Sequence, residues 1–387
     1  MANIIYPSDF SQARSPMFLQ CEPDTAGETI TDAVHSISLY TGDKSTGAPA
    51  QAQVQLSKLS VDGKVLTNVS EIVRAYFVQN YTSHNAPGAS TYYIAQAVGA
   101  ALWVKVSTAT TESDGGYTED STFLAMDGYT EFEDGLNATH SETILTAPRT
   151  INLLPGQYFN LPVKNNPRIE WRLNDGVTPS SWNAAPAHGD DTDKQVVYIP
   201  IGRPNLNSVT DLTLDIYAAK SGFTVEVRDE STDEDLGSIN VAYICEPKYE
   251  GHYIAFLNKW GVWDTMVFEK KSVKDMTVQS EGYKRIIGTW GARADDGTRP
   301  YTYNTREGVH ARINAIGQER ITLNTGLIGE EYNEVVRQLL QSEAFLMDNS
   351  VPVVLESASV TYKDEVNELV NYTLIFTYAH TAINRTQ

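Results

Sequence analysis

Histidine, cysteine and carboxylate side chains are where chemistry would reside in this chain, and their spacing argues against most of it. The histidines are His35, His84, His140, His188, His252, His310 and His380. No two share metal-ligand spacing on a common helix or strand, so zinc is not expected. Cys21 and Cys245 are the only cysteines. They lie far apart in sequence with no zinc-type partner spacing, and they read as reduced, buried thiols rather than a disulfide. The chain has no G-x-S-x-G nucleophile elbow, no phosphate-binding loop and no glycine-rich dinucleotide fingerprint. Hydrolase, nucleotidase and oxidoreductase chemistry therefore lack their usual motifs.

Carbohydrate chemistry needs less of a motif. A glycosidase requires two carboxyl groups roughly 5 to 10 Å apart in a cleft, and the 49 acidic residues cannot be sorted into such a pair by sequence. Twenty-one tyrosines and six tryptophans could also stack on sugars. Tyrosine, however, suits the half-buried surface of a pleated sheet and needs no further reason in a β-rich chain. No catalytic, cofactor-binding or metal-ligating residue is assigned, and no cofactor is expected.

Between Lys105 and Arg149 there is no Lys or Arg, while Glu112, Asp114, Glu119, Asp120, Asp127, Glu131, Glu133, Asp134 and Glu142 accumulate. Calcium is the sharp reading of such a run. The oxygen-ligand spacing of a calcium loop is missing, so a solvated acidic face is expected instead. Asp229 to Asp235 reads in the same way, as the polar tip of a hairpin joining Phe223–Arg228 to Ser238–Ile244. With 49 acidic against 29 basic residues and a net charge of -20, attraction to nucleic acid has the wrong sign.

The elements that would carry these residues are mostly strands. At 387 residues the chain is long enough for two to four domains. Residues 1–148 read as a first β-sandwich, with strands at Met17–Cys21, Ser36–Tyr40, Ala52–Leu56, Lys64–Val69 and Thr91–Val106. A short helix capped by Ser70 interrupts them and runs to about Phe77. Residues 149–246 read as a second sandwich, with strands at Ile151–Leu154, Tyr158–Val163, Ile169–Leu173, Val196–Ile199 and Leu212–Ala218, then the hairpin. Both are of Ig-like or jelly-roll-like kind. The long loop Asn174 to Asp193 carries Trp182, either a docking residue or a cover for the local core.

Residues 247–387 read as an α+β assembly domain. Two strands flank the turn Asn258-Lys259-Trp260-Gly261, a polar stretch follows from Lys270 to Ser280, and a loop lies at Gly291 to Gly297. Tyr332, Val335, Val336, Leu339, Leu340 and Leu346 recur at helical spacing, which predicts a helix over 330–347 with Gly329 at its N-cap and Asp348-Asn349-Ser350 ending it. Strands are expected at Gln318–Asn324, Val353–Tyr362 and Asn371–His380. The last is apolar on both faces, as in the centre of a sheet, with the helix on one face and another domain or subunit on the other. The fold class expected is thus mainly β: two sandwiches and a β-rich C-terminal domain with one amphipathic helix. Residues 1–20 show no secretory signal and no window suits a membrane span, so a soluble protein made in a cytoplasm is expected.

Several short segments resemble structural proteins from tailed phages of Bacteroidota, the group that includes the crAss-like phages. They are Arg14-Ser15-Pro16, Ile37 to Gly42, Val69 to Val73 and Ile151 to Pro155, with stronger likeness in Ile254 to Gly261, Leu323 to Gly326, Tyr332 to Val335, and Leu369 to Thr377 followed by Ala382-Ile383-Asn384. The resemblance implies a virion protein of the tail or neck, without catalytic residues. Such a protein would be made in the bacterial host cytoplasm, form a homo-oligomeric ring and bridge neighbouring virion proteins. Its rivals are a receptor- or glycan-binding tail protein and, further off, a carbohydrate depolymerase.

Overall fold

The computed structural model describes residues 2–380 apart from 26, 41–52, 78–83, 85–93, 96–100, 114, 139, 166–167, 186–194, 209–215, 246–247 and 357–368. The fold is mainly β, with few and short helices, as the strand-like patterning predicts. No described helix is long and apolar enough to cross a membrane.

The first part of the chain supplies β1 (Ala2–Ile5), β2 (Phe10–Gln12), β3 (Phe18–Pro23), β4 (Ile30–Tyr40), β5 (Val54–Leu59), β6 (Val65–Asn68), α1 (Ser70–Arg74), β7 (Ile94–Ala95), β8 (Ala101–Glu112) and β9 (Gly115–Met126). Sheet β2-β9-β8-β4-β5 faces sheet β1-β3-β6 across a core that includes Leu19, Ile37, Leu39, Val104, Val106 and Phe123. Val73 of α1 closes one end of that core. Ser70 is not the cap of α1: Val69 holds that position, and Asn68 Oδ1 accepts the N–H of Ser70 at 3.0 Å. Strand β9 was hidden in the acidic run. Its first half is largely exposed and polar, and only Phe123 to Met126 are buried, so its pattern is not the alternation of a half-buried strand.

The second sandwich is built from β10 (Ile151–Leu153), β11 (Asn160–Asn165), β12 (Ile169–Asn174), β13 (Asn183–Ala184), β14 (Gln195–Pro200), α2 (Arg203–Ser208), β15 (Gly222–Asp229) and β16 (Asp235–Tyr243). Sheets β10-β16-β15-β12-β13 and β11-β14-β7 enclose a core around Trp171, Phe159, Val197 and Val225. The Asp229 to Asp235 hairpin forms as expected. Its Asp229 carboxylate accepts from the Ser231 N–H and hydroxyl, both at 2.7 Å. Of the expected strand Leu212–Ala218, residues 216–218 are helical and the rest lies outside the described residues. The helical turn lets the buried Tyr217 donate its hydroxyl to Leu173 O at 2.8 Å. Strand β7, although within residues 1–148, pairs with β14 of this second sandwich.

The last part contains β17 (His252–Leu257), β18 (Trp263–Phe268), β19 (Val273–Lys284), β20 (Gly288–Trp290), β21 (Tyr301–Tyr303), β22 (His310–Gly329), α3 (Asn333–Gln341), β23 (Phe345–Met347), β24 (Val351–Leu355) and β25 (Leu369–Tyr378). Seven strands form one sheet in the order β18-β17-β23-β24-β25-β22-β19. As expected, β25 is interior: Tyr372, Leu374 and Phe376 share a core with Val335, Val336 and Leu339 of α3. Its other face carries the exposed Thr373 and the half-buried Ile375 and Thr377. Residues 357–362 of the expected strand Val353–Tyr362, the Pro247 boundary and Ala382 to Asn384 fall outside the described residues.

The helix expected over 330–347 is corrected. A 3-10 turn (Glu330–Tyr332) with Gly329 at its N-cap leads into α3, which stops at Gln341. Ser342 turns extended, at φ -70° and ψ 145°, and its Oγ accepts the Leu257 N–H at 3.1 Å. Phe345 to Met347 then form β23, paired with β17 and β24. Asp348 and Asn349, with φ of 51° and 57°, make a hairpin turn rather than end a helix, a backbone conformation that Asn and Asp tolerate better than most. Phe345 and Met347 reach the same core as the helix, while Leu346, the residue at helical spacing, lies on the other side of the strand against Ala255, Leu257 and Trp263.

Candidate functional site

His35, His84 and His252 are tied into the fold. His35 is fully buried, its Nδ1 3.0 Å from Thr108 Oγ1 and its Nε2 3.0 Å from Thr67 Oγ1. Burial, aided by the positive charge of Lys58, pushes its pKa down to about 4. His84 accepts the Asn160 N–H at 3.1 Å, and burial takes its pKa down to about 3. His252 meets Asp348 at 2.9 Å at the end of the β23–β24 turn. Among the described residues, no group of three His, Cys, Asp or Glu side chains could hold a metal ion. Cys21 and Cys245 are both free thiols: the first is buried, as expected, and pushed up to about 11 by that burial, whereas the second, expected to be buried too, is exposed.

A cleft of about 530 Å³ opens between the second sandwich and the terminal part, lined by Glu142, Arg149, Lys259, Trp260, Glu331 and Glu334 among others. Glu334 and Trp260 are already engaged. Glu334 is bound by Arg337 at 2.9 Å and by Gln338 at 2.8 Å. Trp260 is buried, with Lys259 Nζ 4.5 Å from its ring centroid, so it presents no open face for a sugar. Beneath the cleft, Arg149 and Asp264 form an ion pair at 2.8 Å, each side chain 1% exposed. Asp264 also accepts the Thr146 hydroxyl at 2.6 Å, and Arg149 donates to Thr265 O at 2.8 Å. Burial alone would lower the Arg149 pKa, but Asp264 outweighs it and the guanidinium stays charged.

This pair is one part of a junction that ties the chain together. Phe10, Trp103, Leu124, Tyr198, Trp260 and Val262 pack as one cluster drawn from all three parts. The β17–β18 turn sits at its centre: Asn258 Nδ2 donates to Leu145 O at 2.8 Å, and Lys259 O accepts the Tyr129 N–H at 2.7 Å. Ile254 to Gly261, one of the stronger resemblance segments, is thus an internal joint.

Trp182 lies over the guanidinium groups of Arg172 and Arg228, 4.4 and 4.1 Å from its ring centroid. It covers the outer face of the β12–β15 pair. Residues 186–193 of its loop are outside the described residues.

Two features stand out on the surface, and neither was foreseen. The first is an arm. From Met276 and Glu319 outward, β19 and β22 pair only with each other, because β25 reaches no further along β22 than Arg320. The ribbon ends in the small β20–β21 sheet, and none of residues 273–316 is buried. The twelve residues of β19 span about 40 Å. Met276, Val278, Tyr283 and Ile313 are exposed along it, and Ile286 (88%), Trp290 (66%) and Tyr303 at its tip. Trp290 and Tyr301 contact each other with centroids 5.1 Å apart. Residues 270–317 hold nine Lys and Arg against five Asp and Glu, a net charge of +4 in a chain of -20.

The second is a knob. Residues 131–136 bear Phe132, 97% exposed, and Leu136, 63% exposed, beside Glu133 and Asp134. A reciprocal capping box between Glu131 and Asp134 fixes this 3-10 turn, and Arg337 of α3 grips Glu131 at 2.7 Å. The acidic run therefore contains a rigid loop that presents a phenyl ring to solvent. Its sequence signal was Phe-Glu-Asp-Gly-Leu, apolar residues spaced without periodicity among carboxylates. The arm's signal was the enrichment in Lys and Arg, set against the composition of the rest.

No protein-family model matches the chain, and no curated protein matches it.

Proposed function

We propose that this chain is a structural subunit rather than an enzyme: a ring-forming tail or neck component of a tailed-phage virion that assembles with copies of itself and bridges neighbouring virion proteins. The observation that carries the reading is the arm. A two-stranded ribbon is marginal in water by itself, and this one leaves apolar and aromatic side chains uncovered over its whole length. Such a surface is expected where another chain covers it. The inward-facing groups of the body add support, since His35, the Arg149–Asp264 ion pair and Glu334 of the cleft are committed to internal contacts. The resemblance segments supply the phage context.

Native mass spectrometry or light scattering of the purified protein, with electron micrographs of the same sample, tests the reading. Closed rings of a single copy number are expected. A protein that stays monomeric at high concentration and binds or cleaves host polysaccharide would replace this reading with a receptor-binding or depolymerase role.

A further inference from the structure

The arm and the knob are opposite in charge and alike in apolar character. At the arm's tip, the exposed Trp290, Tyr301 and Tyr303 alternate along the chain with Arg285, Arg293, Arg299 and Arg306, with Asp295, Asp296 and Glu307 among them, so that the net positive charge is that of the arm as a whole. Arg285 Nε is used within the tip, donating to Gly308 O at 2.9 Å. No ion pair among the described residues neutralises Arg293, Arg299 or Arg306. The knob offers the converse: one nearly bare phenyl ring, a leucine, and carboxylates on a braced turn. Within one chain the two do not meet, since Phe132 is 97% exposed and no arm residue is buried. Aromatic and arginine side chains set against a rigid apolar anchor with charge complementarity are what binding hot spots are made of.

We infer that the aromatic, arginine-bearing tip of the arm docks on the Phe132 knob of a second copy of this chain. The two patches are different surfaces of the same molecule, so the contact is head-to-tail. Each copy gives an arm to one neighbour and a knob to the other, and closure of this series makes a ring. The inference rests on the self-assembly reading above and deepens it by naming the contact. Phe132 fills the space beside Trp290 and Tyr303, while Glu133 and Asp134 meet the unpaired guanidinium groups. Because these charges lie at an exposed rim, added salt weakens the contact by screening them within about 10 Å.

Charge exchange tests the inference on the full-length chain. Glu133→Lys alters the knob and Arg293→Glu with Arg299→Glu alters the arm; all three sites are exposed, and circular dichroism with thermal melting verifies that each variant folds. Each variant alone is expected to lose self-association by roughly tenfold or more. Mixing the two variants is expected to restore it, since each reversed patch then meets its opposite. Phe132→Asp is expected to abolish assembly with no partner able to rescue it. Wild-type assembly that persists unchanged in every variant overturns the docking contact while leaving the assembling-subunit reading intact, and would transfer the arm to a different protein partner. A wild-type chain that never self-associates overturns both.

Discussion

Arg149 and Asp264 are both buried, and each has hydrogen bonds beyond the other, through Thr146 and Thr265. Replacing either one leaves a charge in the interior without its counterion. Asp264→Ala is therefore expected to cost about 3–5 kcal/mol of stability, read by urea denaturation. A smaller loss would mean that water reaches Arg149. His35 supplies a pH-dependent counterpart. Its folded pKa, about 4, lies below the ordinary histidine value of 6.5, so the unfolded chain binds the extra proton first. The His35 contribution is whole above pH 6.5 and is lost as the pH falls from there towards 4, by about 3 kcal/mol across the window. Stability measured on both sides of that window should fall less steeply with acid in His35→Gln than in the native protein. Equal slopes would place the acid sensitivity elsewhere. At this scale the structure gives two of the scattered histidines hydroxyl and backbone partners, His35 with Thr108 and Thr67 and His84 with Asn160. The sequence was silent about Phe132, because exposure of a single ring depends on whether anything folds over it, and no local pattern records that.

Between elements, the β17–β18 turn meets Asp127 and Gly128 backbone on backbone. Gly261 closes the β17–β18 turn with φ 74°, and a Cβ there would stand 2.6 Å from Asp127 C and 2.7 Å from Gly128 N. Gly128, on the other side, has Lys259 O only 2.3 Å from where its own Cβ would be. Main chain cannot swing aside as a side chain would, so Gly261→Ala should destabilise the joint by about 2–4 kcal/mol, positive φ and overpacking combined. Gly128→Ala opens the same contact from the facing side. The double variant is thus expected to cost less than the two singles together, because neighbours sharing one contact do not add. Additive losses would show that the two glycines serve separate contacts. Strand-forming segments such as Tyr372 to Tyr378 were legible because alternation and burial agree. The segment after Gln341 was not, because Leu346 falls at the helix's apolar period while Ser342 and the turn at Asp348 and Asn349 redirect the backbone. In that stretch the competing signals were turn chemistry and periodicity, and turn chemistry prevailed.

On the scale of the molecule, an acidic body with committed interior groups carries a basic arm that contributes no buried residue to it. The arm was missed as a structural unit because its polar residues, Lys270 to Ser280 among them, look like a linker when burial is unknown. A ribbon pairing only with itself leaves no core signature in sequence. That independence from the body leads to a direct experiment. Met276 and Glu319 are paired across the ribbon just beyond the point where β25 ceases to support it. Joining them through an Asn-Gly turn, the two-residue connection suited to an antiparallel hairpin, removes residues 277–318 and retains the rest of the seven-stranded sheet. Since the excised residues bury almost nothing, the melting temperature of the shortened protein should stay within about 3 °C of the native one, which at this size corresponds to roughly 1 kcal/mol or less. Self-association should vanish, and solubility should rise as exposed apolar surface is removed. A large fall in melting temperature would assign the arm a stabilising role in its own body. Unchanged melting with persistent assembly would move the interface to the body, where Leu327, Val354 and Leu369 of the sheet are exposed.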